Sequence, residues 1–143
     1  MNCDICQLIE SKRGAVFDNG RIVALLHPTP SIVGHMLVTT RQHHSILEQV
    51  PDQELGEAFA IANALSVAVF EGVGAQGTNL LIQNGIAAGQ HHAHFLINVL
   101  PRKEGDDINL QWQADDVSPE RLDEVLGQLQ AALHEPEPVA PEE

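Results

Sequence analysis

One stretch of the sequence organises the rest: Gly89-Gln90-His91-His92-Ala93-His94-Phe95-Leu96-Ile97-Asn98-Val99-Leu100-Pro101-Arg102. Polar and apolar residues alternate from Gln90 to Val99, and this period of two predicts a β-strand, because successive side chains on a strand point to opposite faces. One face carries imidazole and amide groups, and the other is mostly apolar and faces the core. Packing alone explains the polar face poorly, since such groups lose hydration on burial unless they find partners. The pattern indicates a functional site on this strand.

The residues just upstream predict a strand over residues 78–83 and a tight loop over residues 84–89. Gln83-Asn84-Gly85 opens this loop and Gly89 closes it. Glycines expose backbone amides, and such a loop suits an anion. A strand-opening turn that binds no ligand is the alternative.

A long helix is predicted over residues 52–73, because Pro51 and acidic residues mark its start and Gly72-Val73-Gly74 marks its end. Its apolar residues form one stripe and also lie off that stripe, so the helix is expected to be buried on more than one side. Either a partner surface or the chain itself covers the second side. The stripe comprises Leu55, Phe59, Ala62, Leu65 and Val69, and the residues off it are Ile61, Val67 and Phe70.

Three further segments predict regular structure. Asn19-Gly20 between two apolar runs predicts a β-hairpin, because both residues tolerate positive φ. Residues 27–35 contain two prolines and therefore predict a loop, which leads into a strand over residues 36–40. Ser118-Pro119 predicts the start of a C-terminal helix, with an N-cap followed by proline in the first turn.

The composition fits one globular domain. The chain has 143 residues, of which 43% are hydrophobic, enough for a single core. We expect one domain over residues 1–134 and a disordered acidic Pro/Glu tail over residues 135–143. The apolar runs are too short to span a bilayer and the N-terminus does not resemble a signal peptide, so we expect a cytoplasmic protein without a membrane partner.

The charge argues against nucleic acid as a partner. Seven Lys and Arg stand against 20 Asp and Glu, which gives a net charge of −13. A nucleic-acid groove needs a basic face to displace phosphate counterions. A small nucleotide held by a few local donors remains possible.

Cys3 and Cys6 form a C-x-x-C pattern at the start of a predicted helical turn. This spacing lets both thiolates reach one tetrahedral Zn²⁺, although two more ligands must come from elsewhere. Cysteines so close could form only a strained local disulfide, and a cytosolic chain keeps them reduced. Packed thiols without a metal and a redox dithiol are the alternatives.

These motifs, taken in order, resemble the histidine triad (HIT) family over roughly residues 3 to 110. The active strand of the family reads N/Q-x-G, a short glycine-containing turn, G-Q, then His-x-His-x-His and an aliphatic-Pro-Arg run. Gly89-Gln90 and the run ending at Arg102 fix the register, which puts the triad positions at His94, Leu96 and Asn98. The resemblance implies an α+β fold with a five-stranded antiparallel sheet, one long helix and a C-terminal helix, and a homodimer with a ten-stranded sheet.

The resemblance also implies the remaining zinc ligands. Some bacterial members with an N-terminal C-x-x-C complete the shell with the histidine of a P-K-x-H-like stretch and with the first triad histidine. The predicted zinc ligands are Cys3, Cys6, His43 and His94.

Nucleotide contacts are implied at six positions. The acidic or amide residue that binds the ribose hydroxyls in the family is His27 here, and the Ser or Thr that follows the G-Q pair is His91. His35 matches a family histidine, with a buried structural histidine as the alternative. The predicted contacts are His27, Gln83, Gln90, His91, Leu96 and Asn98.

The middle triad position raises the main question about function. In the family this histidine attacks the α-phosphate and forms a nucleotidyl-imidazole intermediate, and Leu96 has no lone pair to do so. On an extended strand His92 would lie about 13 Å from position 96. Three hypotheses follow: a purine-nucleotide-binding protein without the usual nucleophile, an active HIT-type hydrolase or nucleotidyl transferase that uses another nucleophile such as His92 or His91, and a zinc-stabilised protein-interaction module.

Overall fold

The computed structural model describes residues 2–138. The chain divides into two compact units, one up to residue 108 and one from residue 109 onward. Within the described residues, the first unit holds five strands and two α-helices and the second holds one α-helix. The helices and strands are α1 Asp4–Ser11, β1 Ala15–Asp18, β2 Ile22–Leu26, β3 Met36–Thr40, α2 Asp52–Val73, β4 Gly77–Leu81, β5 Ile97–Arg102 and α3 Pro119–Ala132.

The strands form one sheet in the order β1-β2-β3-β5-β4, in which all neighbouring strands are antiparallel. This confirms the predicted α+β fold with a five-stranded antiparallel sheet, a long helix and a C-terminal helix. The predicted hairpin joins β1 to β2. Gly20 has a φ of 87°, and the side-chain oxygen of Asn19 accepts hydrogen bonds from the backbone amides of Arg21 and Ile22 at 3.0 and 2.8 Å. The turn is therefore fixed by its own side chain.

α2 has the predicted bounds, because both of its ends are set by local signals. Pro51 precedes it, and Gly74 ends it in the left-handed conformation with a φ of 71°. One face packs on the sheet, whereas Phe59, Val67 and Phe70 are 40%, 55% and 65% exposed. The buried residues on the sheet side are Ala58, Ala62, Leu65 and Val69. By length and composition α2 could also span a membrane, but a core helix packed on a sheet meets the same criteria.

α1 packs on the other face of the sheet. Adjacent residues of a strand point to opposite faces, and Val23 and Leu25 of β2 join a different apolar cluster from Ile22 and Ala24. Ile5 and Ile9 of α1, with Leu37 of β3, belong to this second cluster. The cysteines at the start of α1 are thereby held against the sheet.

The predicted strand over residues 90–99 is wrong in its first part, because β5 begins only at Ile97. The preceding residues form a bend, in which His94 and Phe95 are both buried although they are neighbours in sequence. Non-local hydrogen bonds hold this bend: the Phe95 amide donates to the His44 carbonyl at 2.7 Å, and the Thr39 hydroxyl donates to the Phe95 carbonyl at 2.6 Å. The alternation of polar and apolar residues before Ile97 therefore belongs to a bent segment and not to a strand, and the side chains of this segment point towards several surfaces.

The second unit contains α3, which begins as predicted. The Ser118 side chain accepts a hydrogen bond from the Arg121 amide at 3.1 Å, and Pro119 occupies the first turn. Residues 135–138 form neither helix nor strand. The rest of the predicted disordered tail, residues 139–143, lies outside the described residues.

Candidate functional site

Four predicted ligands come together from three parts of the fold. Cys3 is the N-cap of α1 and Cys6 lies in its first turn, so the two thiols lie at the same end of the helix. His43 follows β3, and His94 lies in the bend before β5. One donor atom from each of these four residues lies within 4.8 Å of the others. The structure thus brings all four predicted metal ligands together, and this cluster could hold a metal ion.

Three sulfur–nitrogen distances in the cluster are close to those of a tetrahedral zinc site. The sulfur of Cys3 lies 3.5 Å from His94 Nδ1, and the sulfur of Cys6 lies 3.4 Å from His43 Nδ1 and 3.6 Å from His94 Nδ1. Zinc–sulfur and zinc–nitrogen bonds of ordinary length, at a tetrahedral angle, separate sulfur from nitrogen by about 3.6 Å. Two thiols and two imidazoles are also donors that zinc prefers.

The surroundings of His94 favour its use as a ligand. Its Nε2 lies 3.1 Å from the carbonyl of Thr40, which is a hydrogen-bond acceptor, so Nε2 carries the hydrogen and Nδ1 presents a lone pair to the thiols. Burial lowers the pKa of His94, so the ring is neutral near pH 7. Burial raises the pKa of the Cys6 thiol, and the adjacent Cys3 raises it further. A cation between the sulfurs would offset the cost of two close thiolates.

The residues at the other two predicted triad positions lie on β5 or beside it. Leu96 is half-buried and packs against the apolar cluster under α1. The side-chain oxygen of Asn98 lies 2.9 Å from His35 Nε2, and its nitrogen donates to the Leu81 carbonyl at 3.2 Å. Both ends of this amide are therefore engaged within the protein.

His35 and His27 form a stacked pair beside Asn98. The Ser31 amide donates to His35 Nδ1 at 3.2 Å, so His35 Nε2 carries a hydrogen and donates to Asn98. The two imidazole rings lie 4.5 Å apart at an interplanar angle of 29°. Burial lowers the pKa of both imidazoles, which favours two neutral stacked rings. His35 thus has the structural role of a satisfied buried histidine.

The predicted nucleotide contacts line two neighbouring cavities. A small cleft of about 30 Å³ is lined by five of them, together with His92 and His94: Gln83, Gln90, His91, Leu96 and Asn98. The sixth, His27, lines a larger pocket of about 250 Å³ with apolar residues of α1 and β3. The structure therefore divides the predicted set between two cavities, which share His92 as a lining residue.

His92 and Leu96 line the same small cleft, which an extended strand would not predict. A separation of about 13 Å assumed an extended strand, which rises about 3.3 Å per residue. Residues 92–94 instead form a bend, and His92 lines both the cleft that contains Leu96 and the pocket that contains His27. The extended-strand estimate does not apply to this pair.

Gln90 fixes the shape of the bend. Its side-chain oxygen accepts from the Gly85 amide at 2.8 Å, and its nitrogen donates to the carbonyls of Ser45 and His92 at 2.7 and 2.8 Å. Both amide hydrogens are thereby used within the protein. Gly89 is constrained as well, with a φ of 86°, and a Cβ there would lie 2.7 Å from the side-chain nitrogen of Gln83.

Sequence reasoning missed several groups that shape this region. The carbonyls of Thr40 and Ser45 orient His94 and Gln90, and no side-chain pattern identifies them because every residue has a carbonyl. Asp4 lines two of the cavities around His92. The sequence signal that could have identified Asp4 is its position between two cysteines.

Comparisons with known proteins agree with this geometry. The HIT domain family model matches residues 9–105. An uncharacterized HIT-like protein of Methanocaldococcus jannaschii is 31% identical over 129 residues, which cover 89% of this chain and 98% of that protein. An adenylylsulfatase of Arabidopsis thaliana is 31% identical over 107 residues, covering 73% of this chain and 54% of that protein, so the match spans about half of the relative.

Solved structures share the fold. A HIT family protein from Bacillus subtilis superposes with a TM-score of 0.86 at 24% identity, covering 95% of this chain and all of that one (100%). A zinc-bound histidine triad family protein from Mycobacterium smegmatis has a TM-score of 0.71 at 27% identity, with 93% of this chain and 99% of that chain covered. With the family model matching more than half of its residues, this chain belongs to the HIT family.

Proposed function

We propose that this chain is a zinc-supported nucleotide-binding protein of the HIT class in which Leu96 replaces the attacking histidine. The observation that supports the proposal is the composition of the small cleft, which is lined by Leu96 and Asn98, the residues at the predicted second and third triad positions. Leucine cannot form a bond to phosphorus. His94 lies in the cleft too, but its nitrogens contact thiols and the Thr40 carbonyl.

Zinc is the metal that we propose for the four-donor cluster. Cys3, Cys6, His43 and His94 would hold it as a closed four-ligand site, which is typical of a structural zinc. When bound, the ion would join α1 to the segment after β3 and the segment before β5, which lie at the same end of these two antiparallel strands. The zinc-bound relative from M. smegmatis supports this choice.

The ligand that we propose is a purine nucleotide or a nucleotide phosphate ester. The apolar pocket beside His27 would take the base and ribose, and the small cleft would take the phosphate. At about 30 Å³ the cleft holds roughly one water, so a phosphate requires the side chains of His91 and His92 to rotate. The adenylylsulfatase relative supports an adenylyl group in the ligand.

Calorimetry tests this binding function. We expect AMP to bind with a Kd below about 1 mM, whereas adenosine binds more weakly because it cannot fill the phosphate cleft. Adenosine is the matched control for the phosphate contacts. Absence of heat with AMP at millimolar concentrations would exclude nucleotide binding and favour the protein-interaction module, for which the exposed side of α2 provides a surface.

An active hydrolase or nucleotidyl transferase is the second candidate, because His92 shares the cleft with Leu96. Incubation with an adenosine phosphoramidate distinguishes the two. Turnover that disappears in His92→Asn, but persists in a variant of the exposed His134, would identify a catalyst with a relocated nucleophile. No turnover in the parent protein, together with AMP binding, would support the first candidate.

We further propose a cytoplasmic homodimer. α2 exposes Phe59, Val67 and Phe70, and β4 is an edge strand of the sheet. Pairing of two copies along these elements would bury the apolar side chains and join two five-stranded sheets into one of ten strands.

A further inference from the structure

A cavity of about 320 Å³ lies beside the four-donor cluster. Two of the proposed metal ligands, Cys3 and His43, form part of its wall. Three other residues with metal-binding side chains also line it, namely Asp4, His91 and His92. The cluster therefore opens onto a space that already contains further donor groups.

The protein interior covers two of the four donors almost completely. Cys3 and His94 are only 8% and 1% exposed, and Cys3 packs with apolar residues of α1 and the sheet. The Nε2 side of His94 faces the Thr40 carbonyl. An ion cannot readily cross such apolar packing, so the cavity is the favourable approach to the donors.

The additional donor groups are free to contact an ion. Within residues 2–138, neither imidazole of the His91-His92 pair has a hydrogen bond, and nor does the Asp4 carboxylate. His91 and Asp4 are exposed and His92 is half-buried. Imidazole and carboxylate are ligands that Zn²⁺ accepts, and the net charge of −13 raises the local concentration of cations.

We propose that His91, His92 and Asp4 form an access site through which a divalent ion enters and leaves the cluster. The ion would bind these three residues transiently and then pass to the four permanent donors, beginning with Cys3 and His43 on the cavity wall. A closed zinc site exchanges slowly unless an added ligand contacts the metal, and the cavity offers such ligands. This inference rests on the proposed metal function. His91 and His92 also line the proposed phosphate cleft, but the test below measures metal uptake alone.

Cobalt uptake by the metal-free full-length chain tests the access site. Co²⁺ bound to two thiolates and two imidazoles absorbs visible light, so loading can be followed by stopped-flow absorbance without any activity assay. The double variant His91→Ala/His92→Ala should load on the order of tenfold more slowly, comparable to the loss of groups that surround a metal ligand shell. Asp4→Ala should slow loading by less. His134→Ala, an exposed histidine in the second unit, is the matched control and should load like the parent.

The cobalt spectrum and the number of ions per chain at the end of loading distinguish an access site from a set of permanent ligands. The proposal expects the same cobalt spectrum and one ion per chain in every variant, with only the rate changed. Equal loading rates in the parent and the double variant would overturn it. A lower final occupancy would also overturn it, because His91 or His92 would then be a permanent ligand. If the parent takes up no cobalt and no zinc, the metal function itself fails, whereas AMP calorimetry still decides nucleotide binding. If circular dichroism shows that the double variant does not fold, the single variant His91→Ala is tested in its place.

Discussion

In the function that we propose, Leu96 limits what the cleft can do chemically. It lies at the predicted position of the nucleophile, and its half-buried side chain belongs to the apolar packing under α1. The next predicted triad residue, Asn98, is held by His35 and by the Leu81 carbonyl. A half-buried amide that satisfies a buried imidazole stabilises this part of the fold, since either group alone would lose its partner.

We predict that Leu96→His introduces activity. A histidine at this position restores a lone pair in the cleft, and turnover of an adenosine phosphoramidate should rise on the order of 10²-fold, the lower end of what one positioned catalytic side chain contributes. Mass spectrometry after a rapid quench at alkaline pH, where the P–N bond is stable, should detect an adenylyl group on residue 96. Leu96→Met is the control, since it retains the volume without a basic nitrogen. If Leu96→His binds AMP but shows no turnover, more than the nucleophile is missing.

At the scale of single elements, local signals explain which predictions succeeded. α2 matches its predicted bounds because Pro51 and Gly74 act within one turn of the helix ends. The hairpin was predictable for the same reason, as Asn19 bonds to amides two and three residues away. The four clustered donors were predicted from family resemblance, because spacing alone identified only the two cysteines.

The bend before β5 shows why other elements could not be predicted. Its partners are Ser45, His44 and Thr39, which lie roughly 50 residues away in sequence. A period of two is the strongest available signal for a strand, but it contains no information about such distant carbonyls. The same non-local contacts bring His92 to the cleft.

The end of β5 provides a pH-dependent contribution to stability. Arg102 makes two hydrogen bonds to Asp106, both of 2.8 Å, and two more to Asn79 and the Ile108 carbonyl. Hydrogen bonding to Arg102, and then to the Lys103 amide, holds the pKa of Asp106 well below its ordinary value of 3.8. A carboxyl group with a depressed pKa stabilises the folded state above its unfolded-state value and loses this effect as the pH falls through the folded-state value.

We predict that Asp106→Asn removes part of the acid sensitivity of unfolding. The parent should lose stability as the pH falls below about 4, and the variant should lose less, because it has no charge to neutralise. At pH 7 the variant should be the less stable of the two. Urea denaturation at pH 7 and pH 3 measures both effects. Asp107→Asn, at the neighbouring exposed position, is the matched control. The role of the ion pair would be contradicted if the parent and Asp106→Asn lost the same free energy of unfolding between pH 7 and pH 3.

At the scale of the whole molecule, the exposed side of α2 is the surface that we assign to dimerisation. Phe70→Ser should shift the protein towards the monomer, with Kd rising on the order of tenfold or more, because truncating an aromatic residue at an interface commonly costs above 1 kcal/mol. Analytical ultracentrifugation measures this shift. Glu71→Ser, on the neighbouring exposed position, should leave the association unchanged. A parent protein that sediments as a monomer at all concentrations would refute the dimer.

Metal removal should destabilise the first unit. A chelator is expected to lower Tm by on the order of 10 °C, because an ion that binds only the folded state adds several kcal/mol to its stability. Differential scanning calorimetry of the zinc-loaded protein, with and without chelator, measures the change. The double variant Cys3→Ser/Cys6→Ser should not respond to chelator; an equal response would place the metal elsewhere.

The position of Lys12 and Arg13 directly after α1 has a practical consequence. Lys12 ends the helix in the left-handed conformation, and both basic residues are exposed. If the proposed ion leaves, α1 keeps only its apolar packing, mainly that of Ile5 and Ile9, and the backbone at its end can open. Trypsin would then cut a short peptide from the amino terminus while the sheet survives, so zinc scarcity would leave a characteristic shortened fragment on a gel.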